Sequence, residues 1–116
     1  MRFLVLLTEA DHFDTWEAAD DDYRQRCFDD YNAFADAVRA RGTIVVGDAL
    51  DRPESARSLR PGETRTVTEG PYAETVEQLG GFYLIDVPDR ETAVELAGLL
   101  PREYTIEVRP TLEVEI

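Results

Sequence analysis

Positive charge is what this chain has least of. Against 25 Asp and Glu stand 12 Lys and Arg, a formal net charge of −13 with a pI near 4.3. Phosphate backbones are held by basic surfaces that release counterions, so nucleic acid is excluded as a partner. Anionic membrane surfaces are disfavoured for the same reason. Cysteine is nearly missing too. Cys27 stands alone and cannot form an internal bridge, so it reads as a small buried hydrophobe in a reducing compartment. No run approaches the ~20 apolar residues that a membrane span requires. The opening MRFLVLLTEADHF turns acidic where a signal peptide would need a small-residue cleavage site. It reads as a first strand, and the expected location is cytoplasmic. With one His, one Cys and no close-set ligand group, no metal site is expected. The run AADDDY lacks the alternating loop of a calcium site, and the glycines never fall into a nucleotide-binding spacing. No cofactor is expected.

What is present fits one domain over residues 1–116. Residues 2 to 8, RFLVLLT, are apolar on both parities, with Phe3, Val5 and Leu7 on one side and Leu4 and Leu6 on the other. An acidic loop, EADHFDTW, follows, and its Asp14 and Glu17 have the spacing of a helix-capping pair. The long helix after it places Tyr23, Cys27, Tyr31, Phe34 and Val38 on one continuous face. Asp20, Asp21 and Asp22 lie near its start and Arg39 and Arg41 near its end, as the helix dipole favours. Gly42 reads as its stop. TIVVGDAL, residues 43 to 50, is a second strand apolar on both parities. Pro61-Gly62 is a turn joining SARSLR to ETRTVT as a hairpin. GFYLIDV is another strand, Asp89 caps a second helix that ends at Pro101, and YTIEVRP is the last strand. The tail TLEVEI continues its alternation.

The order β-α-β-hairpin-β-α-β predicts an α+β domain of the ferredoxin-like, split βαβ plan with an extra β-hairpin. Its two helices lie on one face of an antiparallel sheet. The doubly apolar strands then leave the other face greasy, a patch larger than a soluble monomer normally carries. A second copy packed sheet to sheet resolves this, so a homodimer through the sheet face is expected.

The residues themselves also carry a resemblance. GTIVVGDAL, then EGPYAETVEQLGGFYLIDVPDRETAVELA, then IEVRP resemble the YCII-related proteins, and most closely their DGPF subgroup. The motif that names the subgroup reads here Glu69-Gly70-Pro71-Tyr72. The resemblance implies a dimeric α+β barrel of ferredoxin-like subunits. Some relatives are small-molecule enzymes, including a dehydrochlorinase of an aromatic degradation pathway. Others are encoded beside extracytoplasmic-function sigma factors, which implies an accessory role. Better-studied relatives have a His–Asp pair with the His on the long helix. That place is Tyr31 here, and the partner Asp is missing as well, so no ready-made pair carries over.

Candidate residues follow from chemistry. Asp48 stands in an apolar strand, where a carboxylate must be paired, hydrated or pKa-shifted, and it is a candidate general base. Tyr31 could hold a hydroxyl over the same cleft, although an aromatic at helical spacing also serves a core. Glu69 keeps the motif's carboxylate, and His12 is a candidate proton shuttle or a solvated loop residue. Gly70 and Pro71 shape a turn that presents Tyr72 and Glu77, or merely crosses between strands. Arg109 offers a clamp for a substrate carboxylate or a local pair for Glu107. Besides a vestigial dimer of this fold that has lost its ancestral activity, two functional classes stay open. One is a homodimeric, cofactor-independent small-molecule enzyme with lyase- or hydrolase-like acid/base chemistry, or a binder of a small ligand. The other is an accessory module that docks on a regulatory protein without catalysis.

Overall fold

The architecture comes from a computed structural model, which describes residues 1–73 and 75–114. Strand β1 (Arg2–Ala10) buries Phe3, Val5 and Leu7 and leaves Leu4 and Leu6 half-buried on its other side. Helix α1 (His12–Ala18) follows, then α2 (Asp21–Arg41), β2 (Thr43–Ala49) and a 3-10 turn at Pro53–Ser55. Short strands β3 (Arg57–Leu59) and β4 (Val67–Glu69) precede β5 (Glu77–Asp86), α3 (Arg90–Ala97) and β6 (Thr105–Pro110).

The main sheet has the order β2-β5-β1-β6, with every neighbouring pair antiparallel, and β3 and β4 form a separate two-stranded ribbon. Without that ribbon the order is the one expected of two interlocked βαβ halves. This mixed α+β fold is consistent with the ferredoxin-like plan. Phe34 and Val38 of α2 and Ala93, Leu96 and Ala97 of α3 pack on Phe3, Val5, Leu7 and Ile85 of the sheet. Each larger side chain contributes about 1.5–3 kcal/mol by leaving water.

Two local expectations need correction. The acidic segment after β1 is helical, not a loop, so His12 sits on α1. Asp14 and Glu17 cap nothing; both pair with Arg52, and the side chain that caps α2 is Asp20, accepting from the Tyr23 amide at 2.8 Å. Gly42 ends α2 as expected, with an extended φ of −179°. Glycine is needed there for space: a Cβ would lie 2.1 Å from the Asp86 carbonyl oxygen of β5.

The tail over 111–114 has no strand, and residues 115–116 lie outside the described residues. Among the described residues no helix is long and apolar enough to cross a membrane.

The helices cover one sheet face. Strand alternation and the pairing Leu4↔Leu84, Leu6↔Phe82 and Val46↔Leu84 put these five residues together on the opposite face. The Cα extents of 47 × 44 × 17 Å leave room in the thin direction for one helix layer and one sheet. The radius of gyration is 16.0 Å. A compact chain of this length would have about 13 Å. The excess reflects a flattened body and the β3–β4 arm, whose strands pair with each other and not with the main sheet.

Candidate functional site

A cleft of about 410 Å³ opens between α1, α2 and the β2–β5 end of the sheet. Its floor is formed by Gly47–Leu50 and Gly80–Phe82, and its walls include Leu7, His12, Phe13, Trp16, Phe28, Tyr31, Tyr83 and Tyr104. Two short elements bring these walls together. Helix α1 starts abruptly at Asp11, whose φ of 52° is a left-handed value that Asp tolerates better than most residues. The Asp11 amide donates to the Val76 carbonyl at 3.0 Å, and the Phe13 amide to Gln78 Oε1 at 3.2 Å. These bonds hold the N-terminal end of α1 to the start of β5. At the other end Arg24 donates to the Trp16 and Glu17 carbonyls, at 2.9 and 3.1 Å through Nη2. Arg52 pairs with Glu17 at 2.6 Å and Asp14 at 3.2 Å, which ties the segment after β2 across the helix.

His12 is the polar centre of this arrangement. Only 8% of it is exposed, and its Nδ1 lies 3.0 Å from Glu9 Oε1. Glu9 is the last-but-one residue of β1, and three positions along the chain the first turn of α1 brings the imidazole back over it. In the neutral ring, with the carboxylate as acceptor, Nδ1 carries the proton and Nε2 keeps a lone pair. The ring packs edge-on to Phe13 and tilted on Tyr104, with centroids at 4.9 and 5.5 Å. Gly80 makes the approach feasible, since a Cβ there would sit 2.6 Å from Nε2. The extra residue that it brings to β5 is accommodated as a register shift opposite Leu7 and Thr8.

Beside the imidazole two phenols meet. The Tyr31 and Tyr104 hydroxyl oxygens are 2.5 Å apart. Burial, and then the bond to Tyr104, push the Tyr31 phenol far above its ordinary value. Burial lifts Tyr104 to about 12, against a lowering by the Tyr31 bond, and the Glu9 carboxylate raises it further. Tyr83, packed on Phe34 at 4.8 Å, is raised by burial as well. All three are neutral hydroxyls near neutral pH. Behind them Arg26 donates to Glu103 at 2.6 Å. Burial, the largest single cause, pushes that carboxyl up, but the Arg26 bond, a backbone hydrogen bond and the Arg26 and Arg102 charges together outweigh it, and the net direction is down. Its Oε1 is buried without a partner among the described residues.

Of the residues singled out in the sequence, the cleft gathers His12, Tyr31 and Asp48. The register pairs Asp48 with Phe82, and Gly47 lies against the Tyr83 ring on the helix side. Alternation therefore sends the Asp48 carboxylate to the open sheet face, although the residue borders the cleft. Glu69 and Tyr72 belong to the arm and its exit, 87% and 83% exposed, and Arg57 approaches Glu69 only to 4.0 Å. Gly70 has a φ of 86°, and its amide donates to the Ala56 carbonyl at 2.8 Å, so with Pro71 it turns the chain out of β4. Glu77 is exposed at the start of β5, and Arg109 pairs with Glu107 at 2.7 Å on the last strand. None of these six lines the cleft. Among the described residues, no three His, Cys, Asp or Glu side chains gather as a metal set.

Residues 1–113 match the family model described as the YCII-related domain. The chain belongs to the YCII-related family. A stretch of 62 residues is 49% identical to an uncharacterized protein of Rhizobium meliloti (strain 1021), and it covers 48% of this chain and 49% of that protein. The chain thus matches about half the length of this curated relative.

In this YCII-related chain the sequence reading passed over Glu9, Trp16 and Tyr104 as site residues. For Glu9 a signal existed: a carboxylate three positions before the only histidine meets it if the intervening turn is helical. Tyr104 gave none, because it reaches Tyr31 across 73 positions. The His–carboxylate pair looked lost when Tyr31 filled the helical His place. A pair of that chemical type is present on other elements, as His12 on α1 and Glu9 on β1.

Proposed function

We propose that the protein is a homodimeric, cofactor-independent acid/base catalyst or binder of a small apolar molecule, with His12 as its proton-transfer group. The observation that carries this reading is the buried His12–Glu9 pair at 3.0 Å on the wall of an aromatic cleft. A donor on the ligand gives its proton to His12 Nε2, and the Glu9 carboxylate stabilises the imidazolium that forms. Tyr31 and Tyr104 orient the ligand as neutral hydroxyls. Asp48 and Leu50 border the floor. The reaction class is lyase- or hydrolase-like. Placement in the DGPF subgroup rests on Glu69-Gly70-Pro71-Tyr72, with Glu and Tyr for the subgroup's Asp and Phe.

Dimerisation follows from the open face of Leu4, Leu6, Val46, Phe82 and Leu84, which a second copy covers to form an α+β barrel in the cytoplasm. Sedimentation at micromolar concentration tests this. A dimer that Leu6→Asp splits is the expected outcome, and a wild-type monomer refutes it. For the site, thermal-shift screening of small aromatic compounds on wild type and His12→Gln is the direct test, because a ligand of the folded state raises stability with its excess over Kd. Compounds that stabilise wild type by several degrees and the variant much less are expected. If the hits stabilise both proteins equally, the assignment of His12 is wrong.

A second reading, docking onto a regulatory protein, draws on the arm. Leu59, Val67, Tyr72 and Val76 are exposed on it or at its exit. Removal of the arm's apolar side chains separates the two readings, since only the docking reading requires them.

A further inference from the structure

We infer that the cleft selects a small organic cation, an amine or quaternary ammonium carried on an aromatic or similarly apolar frame, over neutral and anionic compounds of the same shape. This rests on the reading of the cleft as a ligand site and adds the charge of what enters it.

The lining is aromatic to an unusual degree. Phe13, Trp16, Phe28, Tyr31, Tyr83 and Tyr104 all border the same space. Ring faces carry a negative quadrupole and attract ammonium and guanidinium groups within about 6 Å, most strongly where water is excluded. The molecule already uses two of these rings in that way. The Arg24 guanidinium lies 5.5 Å from the Trp16 centroid, and that of Arg52 lies 5.9 Å from Phe13.

Charge on the walls points in the same direction. Among the described residues no arginine lines the cleft, and the chain contains no lysine at all. A carboxylate entering it would be stripped of water without a countercharge, at a cost of several kcal/mol. The formal charge nearest the His12 wall is negative, the Glu9 carboxylate that is 13% exposed. The nearby cations weaken the preference without reversing it. Arg52 is matched by Asp14 and Glu17, while Arg24 spends its donors on carbonyls at the end of α1. A surface field from a net charge of −13 adds long-range attraction for cations. The absence of lysine also removes a Schiff base as a means of holding a carbonyl compound, so recognition falls to the rings and the imidazole.

The test uses the protein's single tryptophan, which is part of the cleft wall. Benzylammonium, benzyl alcohol and benzoate share one frame with positive, neutral and negative charge. Each is titrated against Trp16 fluorescence on the whole chain at neutral pH, and again at about 0.5 M salt, where attraction to the outer surface is screened. The expected order is benzylammonium at least tenfold tighter than benzyl alcohol, with benzoate weakest, and the preference persisting in high salt. Phe28→Leu removes one ring from a half-exposed position and should cut the ammonium-to-alcohol ratio severalfold. Alcohol or benzoate binding as tightly as ammonium overturns the charge selection and leaves the cleft reading standing. No change in Trp16 with any of the three overturns the cleft reading itself, and this inference with it.

Discussion

The cleft and the arm use the same residue types in opposite circumstances. Beside the cleft Glu9 is 13% exposed and bonded to His12, whereas on the arm Glu69 is 87% exposed with a distant arginine. Tyr31 and Tyr104 share a hydrogen bond under α2, but Tyr72 projects into solvent. Gly80 is required by an imidazole pressed against it, and Gly70 by its own backbone angle, with open space where a side chain would stand. A carboxylate, phenol or glycine therefore signals chemistry only when something else is packed against it. The conspicuous motif was on the arm, and the packed constellation was elsewhere.

The sharpest way to break this contrast is to ask which region the fold depends on. Phe34 is fully buried between α2 and the sheet, and Phe34→Ala should cost about 3–5 kcal/mol in urea denaturation. That is a large part of a typical domain's stability. Leu59→Ala on the arm should stay within about 0.5 kcal/mol, as exposed positions usually do. A comparable loss from both would mean that the arm is part of the cooperative unit.

Gly80→Ala tests the packing against His12. The new methyl would lie 2.6 Å from Nε2, and the ring cannot yield easily while Glu9, Phe13 and Tyr104 hold it. Overpacking of this kind costs about 1–3 kcal/mol. Ligand affinity should fall about tenfold, the equivalent of ~1.4 kcal/mol. Gly70→Ala, strained but with open space around it, should leave ligand affinity unchanged in the same titration.

Tyr104→Phe sharpens the comparison through pH. The folded-state pKa of Tyr104 is raised from 10.0 to about 12, so its contribution is complete below pH 10. As pH rises from there toward 12 the unfolded chain gives up its proton first, and stability falls. Tyr31, raised by burial and by its bond to Tyr104, adds to the fall with the same sign. In Tyr104→Phe the decline over that window should be shallower, measured as urea midpoints at stepped pH. Near neutrality the variant should be less stable by about 1 kcal/mol through the lost hydrogen bond. Tyr72→Phe should change neither quantity.

Much of the body was legible because periodicity reports it directly. The buried alternation of β1, the Tyr31-Phe34-Val38 stripe of α2 and the Asp89 cap of α3 all follow rules of local spacing. Helix α1 was not legible. It has seven residues, no side-chain cap at its start, and carboxylates where an amphipathic stripe would be sought. Its order comes from Arg24, Arg52, Gln78 and the Val76 carbonyl, partners as far as 65 positions away. Missing that helix hid the partner of His12, which as a candidate proton shuttle then stood alone in an acidic loop. Asp48 stood out as a carboxylate in an apolar strand, but its orientation depends on register, which one sequence does not specify.

The smallest expected effect decides most about the motif. Glu69→Gln removes a carboxylate whose nearest cation, Arg57, is at 4.0 Å across open water. Exposed pairs of this geometry contribute about 0–1 kcal/mol, and a single 4.0 Å contact belongs at the bottom of that range. In a protein whose ligand binds the α1 cleft within one subunit, Glu69→Gln should leave thermal stability, dimerisation and Trp16 titrations unchanged within error. A tenfold loss of ligand affinity without loss of folding would instead mean that the arm reaches a cleft, its own or a partner's. Recombining His12→Gln subunits with Glu69→Gln subunits then separates the cases. Recovery of binding in the mixed dimer requires the two side chains to act across the interface, and no recovery keeps them in one chain.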